Sequence, residues 1–425
     1  MPNKKPLHFP GRQTGVAALL LAILVIIVGV GFLVTTLSPG SHTVKLEHDK
    51  ATFRAMANAK DELIGFAVAN PMRGHLPCPA DPALAGTSTE GTAMSSCNSD
   101  ALRIGRLPWR TLGLGDLRDG YGEPIWYAVS GNFTNDAGVI NRAASVGTLT
   151  VNGSGNFAAI IFSAGLPIGP QQRGAVVAAC ATTGSTMRQD YCATNYLDTD
   201  PATGISNADA DATFVQTRAD TFNDVLLTIS AEQFFEGVEK RVLQQVRACL
   251  RTYAADSSNP AGLYPWAHAV AGVGYSSISL YTDDANVLTG RIPDQIVNSV
   301  MVGSAPIPWS ANCPLPCPTV APGVSCTTSK NWLMDWHELV FYAVSLQYAP
   351  SGAGGGVPGS LIVNGTSNVR AVVMLAGGTL AGQSRGNSTE KDTLTNYLEG
   401  NNASGTSVFG NSPPPYNDRL LIVAP

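Results

Sequence analysis

The feature that most constrains this chain is that its second half repeats its first. The block VNGSGNFAAIIFSAGLPIGPQQRG (151–174) aligns without a gap to VNGTSNVRAVVMLAGGTLAGQSRG (363–386). Asn152, Gly153, Gly165, Gln171, Arg173 and Gly174 all find identical partners there. Upstream, GEPIWYAVS (122–130) matches HELVFYAVS (337–345). Downstream, TNYLDTDPATG (194–204) matches TNYLEGNNASG (395–405), and FNDVLLTIS (222–230) matches YNDRLLIVA (416–424). The blocks come in the same order in both copies, which is the mark of an internal duplication. The match extends backwards, where ANPMRGHLPCPA (69–80) resembles SNPAGLYPWA (258–267).

Each copy is preceded by a segment of helical period. Over Val44 to Asn70, the residues Phe53, Met56, Leu63 and Ala67 fall near one face. Over Ala231 to Ala255, Phe234, Val238, Val242, Val246 and Leu250 form one stripe. IWYAVS, FAAIIFSAG and DVLLTIS carry the β-branched and aromatic residues that suit strands, as do FYAVSL, RAVVMLAG and DRLLIVAP. No long crossover helix separates these strands, so antiparallel pairing is expected. The reading is an α+β fold in which each repeat packs a helix on a small antiparallel sheet. The first repeat is expected over 44–230 and the second over 231–425.

Ahead of the repeats lies an uncharged stretch, VAALLLAILVIIVGVGFLVTTL, from Val16 to Leu37. As a helix it matches the hydrocarbon thickness of a bilayer, and it is longer than the core of a cleaved secretory signal. Lys4, Lys5 and Arg12 precede it and place the N-terminus in the cytoplasm. A basic leader over 1–15 and a transmembrane helix over 16–38 are therefore expected. The location that follows is a single-pass inner-membrane protein with extracytoplasmic globular domains.

Eight cysteines in an exported chain suggest disulfides. The short-range pairs are Cys78 with Cys97 and Cys180 with Cys192. Cys313 and Cys317 lie in a Pro-rich loop, where a bridge to Cys326 is a further candidate. Structural zinc is the weaker reading, since no two CxxC pairs occur. Charged residues are 13% of the chain, net charge is −5, and no basic patch marks a nucleic-acid partner.

The N-terminal layout resembles type IV pilins and the pseudopilins of type II secretion. Their short basic leader ends in Gly and is followed by a long apolar helix. Here Gly15 and Val16 would flank the processing site of a prepilin peptidase. Most members carry Phe first and Glu fifth in the mature chain, where this sequence has Val16 and Leu20. The tip-located minor pseudopilin also lacks that Glu, so the departure points to a minor or tip role. LRDGYGEPIWY (117–127) is similar to the Asp-Pro-Trp-Gly-x-x-Tyr strand entry of major pseudopilins. IIFSAG and FNDVLLTIS resemble the strands that follow. The likeness covers residues 12–230 and is fainter in the second copy. It implies a structural subunit of a pilus or secretion fibre, with other pilins or pseudopilins, the prepilin peptidase and the lipid bilayer as partners. The alternative is a membrane-tethered binding module that recognises a surface ligand or exported substrate.

No HExxH or P-loop occurs, so no enzyme is expected. His337 has Gly122 as its counterpart and reads as a local replacement, while Glu123 and Glu338 recur. The acidic loop Asp198-Thr-Asp200, running on to Gly204, places oxygen ligands at alternate positions before a Gly turn. With Asp224 at the start of the closing strand, it is the one candidate Ca²⁺ site. The competing reading is a solvated Asx turn.

Overall fold

The computed structural model describes residues 41–69, 74–180, 184–271, 281–313, 315, 335–411 and 416–425. Helix α1 (Ser41–Ala69) begins polar, with Lys45, Glu47, Asp49, Lys50 and Arg54. Further along, Met56, Ala59, Leu63 and Ala67 recur every three or four residues and are wholly buried. They lie on a sheet built from β1 (Ile104–Arg106), β2 (Trp126–Val129), β3 (Leu149–Val151), β4 (Ser154–Ser163), β7 (Thr213–Phe214) and β8 (Val225–Ser230). The strand order is β1-β2-β4-β3-β7, with β8 also paired to β4. Between them, β5 (Val177–Ala179) and β6 (Thr186–Arg188) form a separate ribbon.

The second half opens with helix α2 (Ala231–Ala254), started by a capping box in which Ser230 and Gln233 satisfy each other's backbone amides. Its sheet holds β9 (Thr289–Arg291), β12 (Val340–Val344), β15 (Ala371–Leu375) and β17 (Arg419–Ala424), in the order β17-β15-β12-β9. A smaller sheet joins β13 (Leu361–Val363), β14 (Thr366–Val369) and β16 (Val408–Phe409). β10 (Met301–Val302) and β11 (Ala305–Pro306) pair alone, and helix α3 (Ser388–Lys391) is a single turn.

The pairings recur between the halves. β1·β2, β2·β4, β4·β8 and β3·β4 have antiparallel counterparts in β9·β12, β12·β15, β15·β17 and β13·β14. The parallel bridge β3·β7 recurs as β13·β16. Both hairpins turn on Asn-Gly: Asn152 and Asn364 each sit at φ 49°, followed by Gly153 and Gly365 at positive φ. That is the type I′ arrangement which fits strand twist. Single bonds repeat too. Tyr127 donates its hydroxyl to the Pro77 carbonyl at 3.1 Å, and Tyr342 does the same to Pro265 at 3.1 Å.

The two halves share one apolar core. Helix α2 lies at its centre, packed on β15 and β17 and touching β4, β8 and α1. Its Phe234, Val238, Val242, Val246 and Leu250 are fully buried. A polar clasp closes the junction: Arg142 from the first half bonds Glu232 and the buried Glu239 on α2, and Arg419 meets Glu239 at 2.8 Å. Behind the first sheet, Trp126, Phe162, Phe214 and Tyr196 form a second core.

Two expectations are corrected. The α+β reading, a transmembrane helix followed by two helix-on-small-sheet repeats, gives way to a mostly β protein. Among the described residues there are five sheets, two of them with parallel pairs, and only three α-helices. The strands are too short and too interrupted by turns to merge into one sheet per half. The expected leader over 1–15, the helix over 16–38 and the processing pair Gly15 and Val16 lie outside the described residues. Among those described, no helix is long and apolar enough to cross a membrane. Charged side chains stud both long helices, and burying them in hydrocarbon is costly. Single-pass inner-membrane anchoring is therefore not supported.

Candidate functional site

The acidic loop of the first half folds into a buried latch. Asp224, at the mouth of β8, accepts the Asp198 amide at 2.9 Å and the Asn207 side-chain amide at 2.9 Å, both on Oδ2. Asp198 in turn accepts the Asn223 amide at 2.8 Å and the Gln171 side chain at 2.9 Å. The second half repeats this. Asp418 accepts the Glu399 amide at 2.9 Å and Asn402 at 3.1 Å, and Glu399 accepts Gln383 at 3.0 Å. Oδ1 of Asp224 and Oδ1 of Asp418 are both buried without a hydrogen-bond partner. Burial, reinforced by the Asp198 charge, pushes the Asp224 carboxyl up to about 8. Burial raises Asp418 likewise, despite the donors around it.

Of the three candidate calcium ligands, the structure brings Asp198 and Asp224 together and leaves Asp200 apart. Asp200 accepts from the Thr203 hydroxyl at 2.6 Å and from the amides of Ala202 and Thr203. Those bonds hold its carboxyl below the usual range. Its carboxylate thus closes its own turn. Among the described residues, one group of three His, Cys, Asp or Glu side chains lies close enough to share a metal: Cys78, Cys97 and Asp136. Its two sulfurs are joined as a disulfide, so they offer no thiolates.

The disulfides join Cys78 to Cys97, Cys180 to Cys192, and Cys249 to Cys313. The third corrects the Cys313–Cys326 candidate. Cys249 sits on the buried stripe of α2 with its Cα 5.2 Å from that of Cys313, so the Pro-rich loop is stapled to the helix. Cys317 and Cys326 lie outside the described residues.

A second polar assembly occupies the seam between the halves. A cleft of about 340 Å³ is lined by Val139, Asn141, Ala143 and Ala144 from the first half, and by Asp335, His337, Glu338, Thr379, Arg385 and Lys391 from the second. The loop of the first half is moored there: the Ile140 amide donates to the Asp335 carboxylate at 3.4 Å, and Asn141 to the Asp335 carbonyl at 2.6 Å. Inside, Glu338 accepts the Tyr397 hydroxyl at 2.7 Å and Lys391 at 3.1 Å. Arg385 spends its guanidinium on the carbonyls of Gly377 and Asn396 and stacks over Tyr397 at 4.5 Å. His337 sets Nδ1 3.2 Å from Asp294, and its ring stacks on Tyr281 at 4.6 Å. The other face of Tyr281 carries His268 at 4.8 Å. Burial between the two imidazoles raises the Tyr281 hydroxyl well above its ordinary value. The arrangement presents fixed charges of both signs to one small cavity.

Of these residues, the sequence singled out only Glu338 and His337, and it read both as bland. The signal it held was the contrast between copies. His337 replaces Gly122, and Lys391 stands where the first copy has Asp190. No protein-family profile, curated protein or solved structure matches the chain.

Proposed function

We propose that this chain is a structural assembly subunit of the type IV pilin and pseudopilin kind, displaying its two β units from a shared helical attachment. The observation that supports this is the change of character along α1. Val44, Leu46 and Phe53 are 42%, 52% and 56% exposed, whereas Met56, Ala59, Leu63 and Ala67 are buried on the first sheet. One face of the helix belongs to the folded body as far back as His48 and Thr52, and the large apolar side chains of Val44, Leu46 and Phe53 stand exposed to a neighbour among the charges of its first turns. In the pilins that the N-terminal layout resembles, a long helix packs against copies of itself in the fibre core. The paired halves, clasped through Arg142 and Glu239, would ride on that attachment as one body.

Recovery of the full chain in sheared surface fibres tests the reading. Wild type is expected in the sheared fraction, and Leu46→Asp with Phe53→Asp is expected to remove it while leaving the melting temperature unchanged. A double variant that enters fibres as well as wild type, or a wild-type chain absent from them, overturns the proposal.

A further inference from the structure

The duplication supplies an internal control for the seam cleft, because its second-half positions have first-half counterparts. Glu338 and Arg385 match Glu123 and Arg173, which pair directly at 3.2 Å. Four other cleft positions have changed character. Asp335 stands where the first copy has Gly120, His337 where it has Gly122, Thr379 where it has Pro167, and Lys391 where it has Asp190. The corresponding turn of the first copy is covered. Helix α1 lies across Gly120 so closely that a Cβ there would meet the His48 carbonyl oxygen at 2.0 Å. In the second copy that place opens, among the described residues, on the cleft and is lined with charge. Polar and ionic groups at a half-buried seam stabilise poorly compared with apolar packing, so their concentration in one copy asks for a ligand.

We propose that the seam cleft binds a small zwitterion, a molecule carrying a carboxylate and an amine close together, such as a free amino acid. The charge pattern selects this class. A simple anion would face Asp335 and Glu338, and a simple cation would face Arg385 and Lys391. A ligand of both signs meets complementary charge on each side. Lys391 and the Asn141 amide are the donors for the carboxylate. Asp335 is the anion for the ammonium. A carboxylate only accepts, so Nδ1–H of His337 donates to Asp294, which fixes the imidazole in the wall of the cleft. A volume of about 340 Å³ suits such a molecule. Binding here bridges the loop at 139–144 to the second sheet, so the ligand ties the two halves together.

Calorimetric titration of the full chain tests this. The probes are a set of L-amino acids, one per side-chain class, with acetate and ethylammonium as single-charge controls. Saturable one-to-one binding of at least one amino acid is expected at millimolar concentration or below, with neither control binding. Lys391→Gln and Asp335→Asn should each weaken it by about tenfold or more. Thr379→Trp fills the exposed mouth of the cleft without removing an ion pair, so it should abolish binding at an unchanged melting temperature; it decides the matter if the charge variants fail to fold. Silence from every amino acid, acetate binding as tightly as they do, or undiminished binding by a folded Thr379→Trp chain overturns the proposal.

Discussion

Replacing Asp224 with asparagine should convert a pH-sensitive fold into a less sensitive one. The Asp224 carboxyl titrates near about 8 in the folded protein, against about 3.9 in an unfolded chain. Between those limits the native state holds a proton that the unfolded state has released. Stability therefore falls as pH rises from about 4 to about 8, and is level outside that window. Each pH unit in the window is worth about 1.4 kcal/mol, so the full traverse costs roughly 6 kcal/mol, a large share of a typical total stability. The side-chain amide introduced by the substitution cannot ionise. Its oxygen can still accept from the Asp198 amide and from Asn207, while its nitrogen takes the place of the orphaned Oδ1. Asp224→Asn is thus expected to cost about 1 kcal/mol in mild acid, where the parent is protonated, and to be more stable than the parent by several kcal/mol above about pH 8. Urea denaturation of both proteins across this range, with disulfides intact, reads the difference directly. Asp418 leaves a residual slope in the variant, which Asp418→Asn should remove. Parallel pH profiles for parent and Asp224→Asn would refute the reasoning, because they would mean that Asp224 is ionised in the fold at no cost.

Arg142→Met strands the buried Glu239 with only Arg419 beside it. It should lower stability by about 3 kcal/mol, read from the denaturation midpoint. Cys249→Ala with Cys313→Ala opens a loop of 64 residues and should cost about 4 kcal/mol by the same measure, more than loss of the 12-residue Cys180–Cys192 loop. Gly120→Ala drives a methyl into the His48 backbone and should destabilise by about 2 kcal/mol, with proteolysis of α1 accelerated. Gly115→Ala, where no atom lies within 4 Å of the added carbon, should change little.

What the sequence revealed and what it hid divide along a physical line. Asn152-Gly153 and Asn364-Gly365 are readable because only a few residues take positive φ, and both tie down two-residue hairpins. The stripe from Phe234 to Leu250 is readable because one buried face imposes a helical period. The parallel bridges are not. Thr213–Phe214 and Val408–Phe409 are two residues long, too short to carry any period, and they are held by Asn207 and Asn402 reaching to Val215 and Gly410. The Cys249–Cys313 bridge was hidden for a related reason: Cys249 looks like one more apolar residue on the α2 stripe until the loop carrying Cys313 is folded back on it.

The seam cleft is the extreme case, since Asn141 and Asp335 meet across 194 residues of chain. No window on the sequence contains both. Their partnership follows from the duplication: two similar sheets share helix α2, so the loop leaving the first must cross the turn that enters the second. In the first half, α1 covers the corresponding turn, and glycine at position 120 is the only residue that fits beneath it. In the second half the corresponding turn packs Trp336 on Phe235 of α2 and lines the cleft, and there Asp335, His337 and Lys391 depart from their counterparts. A duplicated fold thereby holds one copy to packing and releases the other for chemistry. That asymmetry ties the proposed ligand site to the seam, so substituting Gly120, Gly122 or Asp190 in the first half should leave amino-acid binding untouched wherever the fold survives.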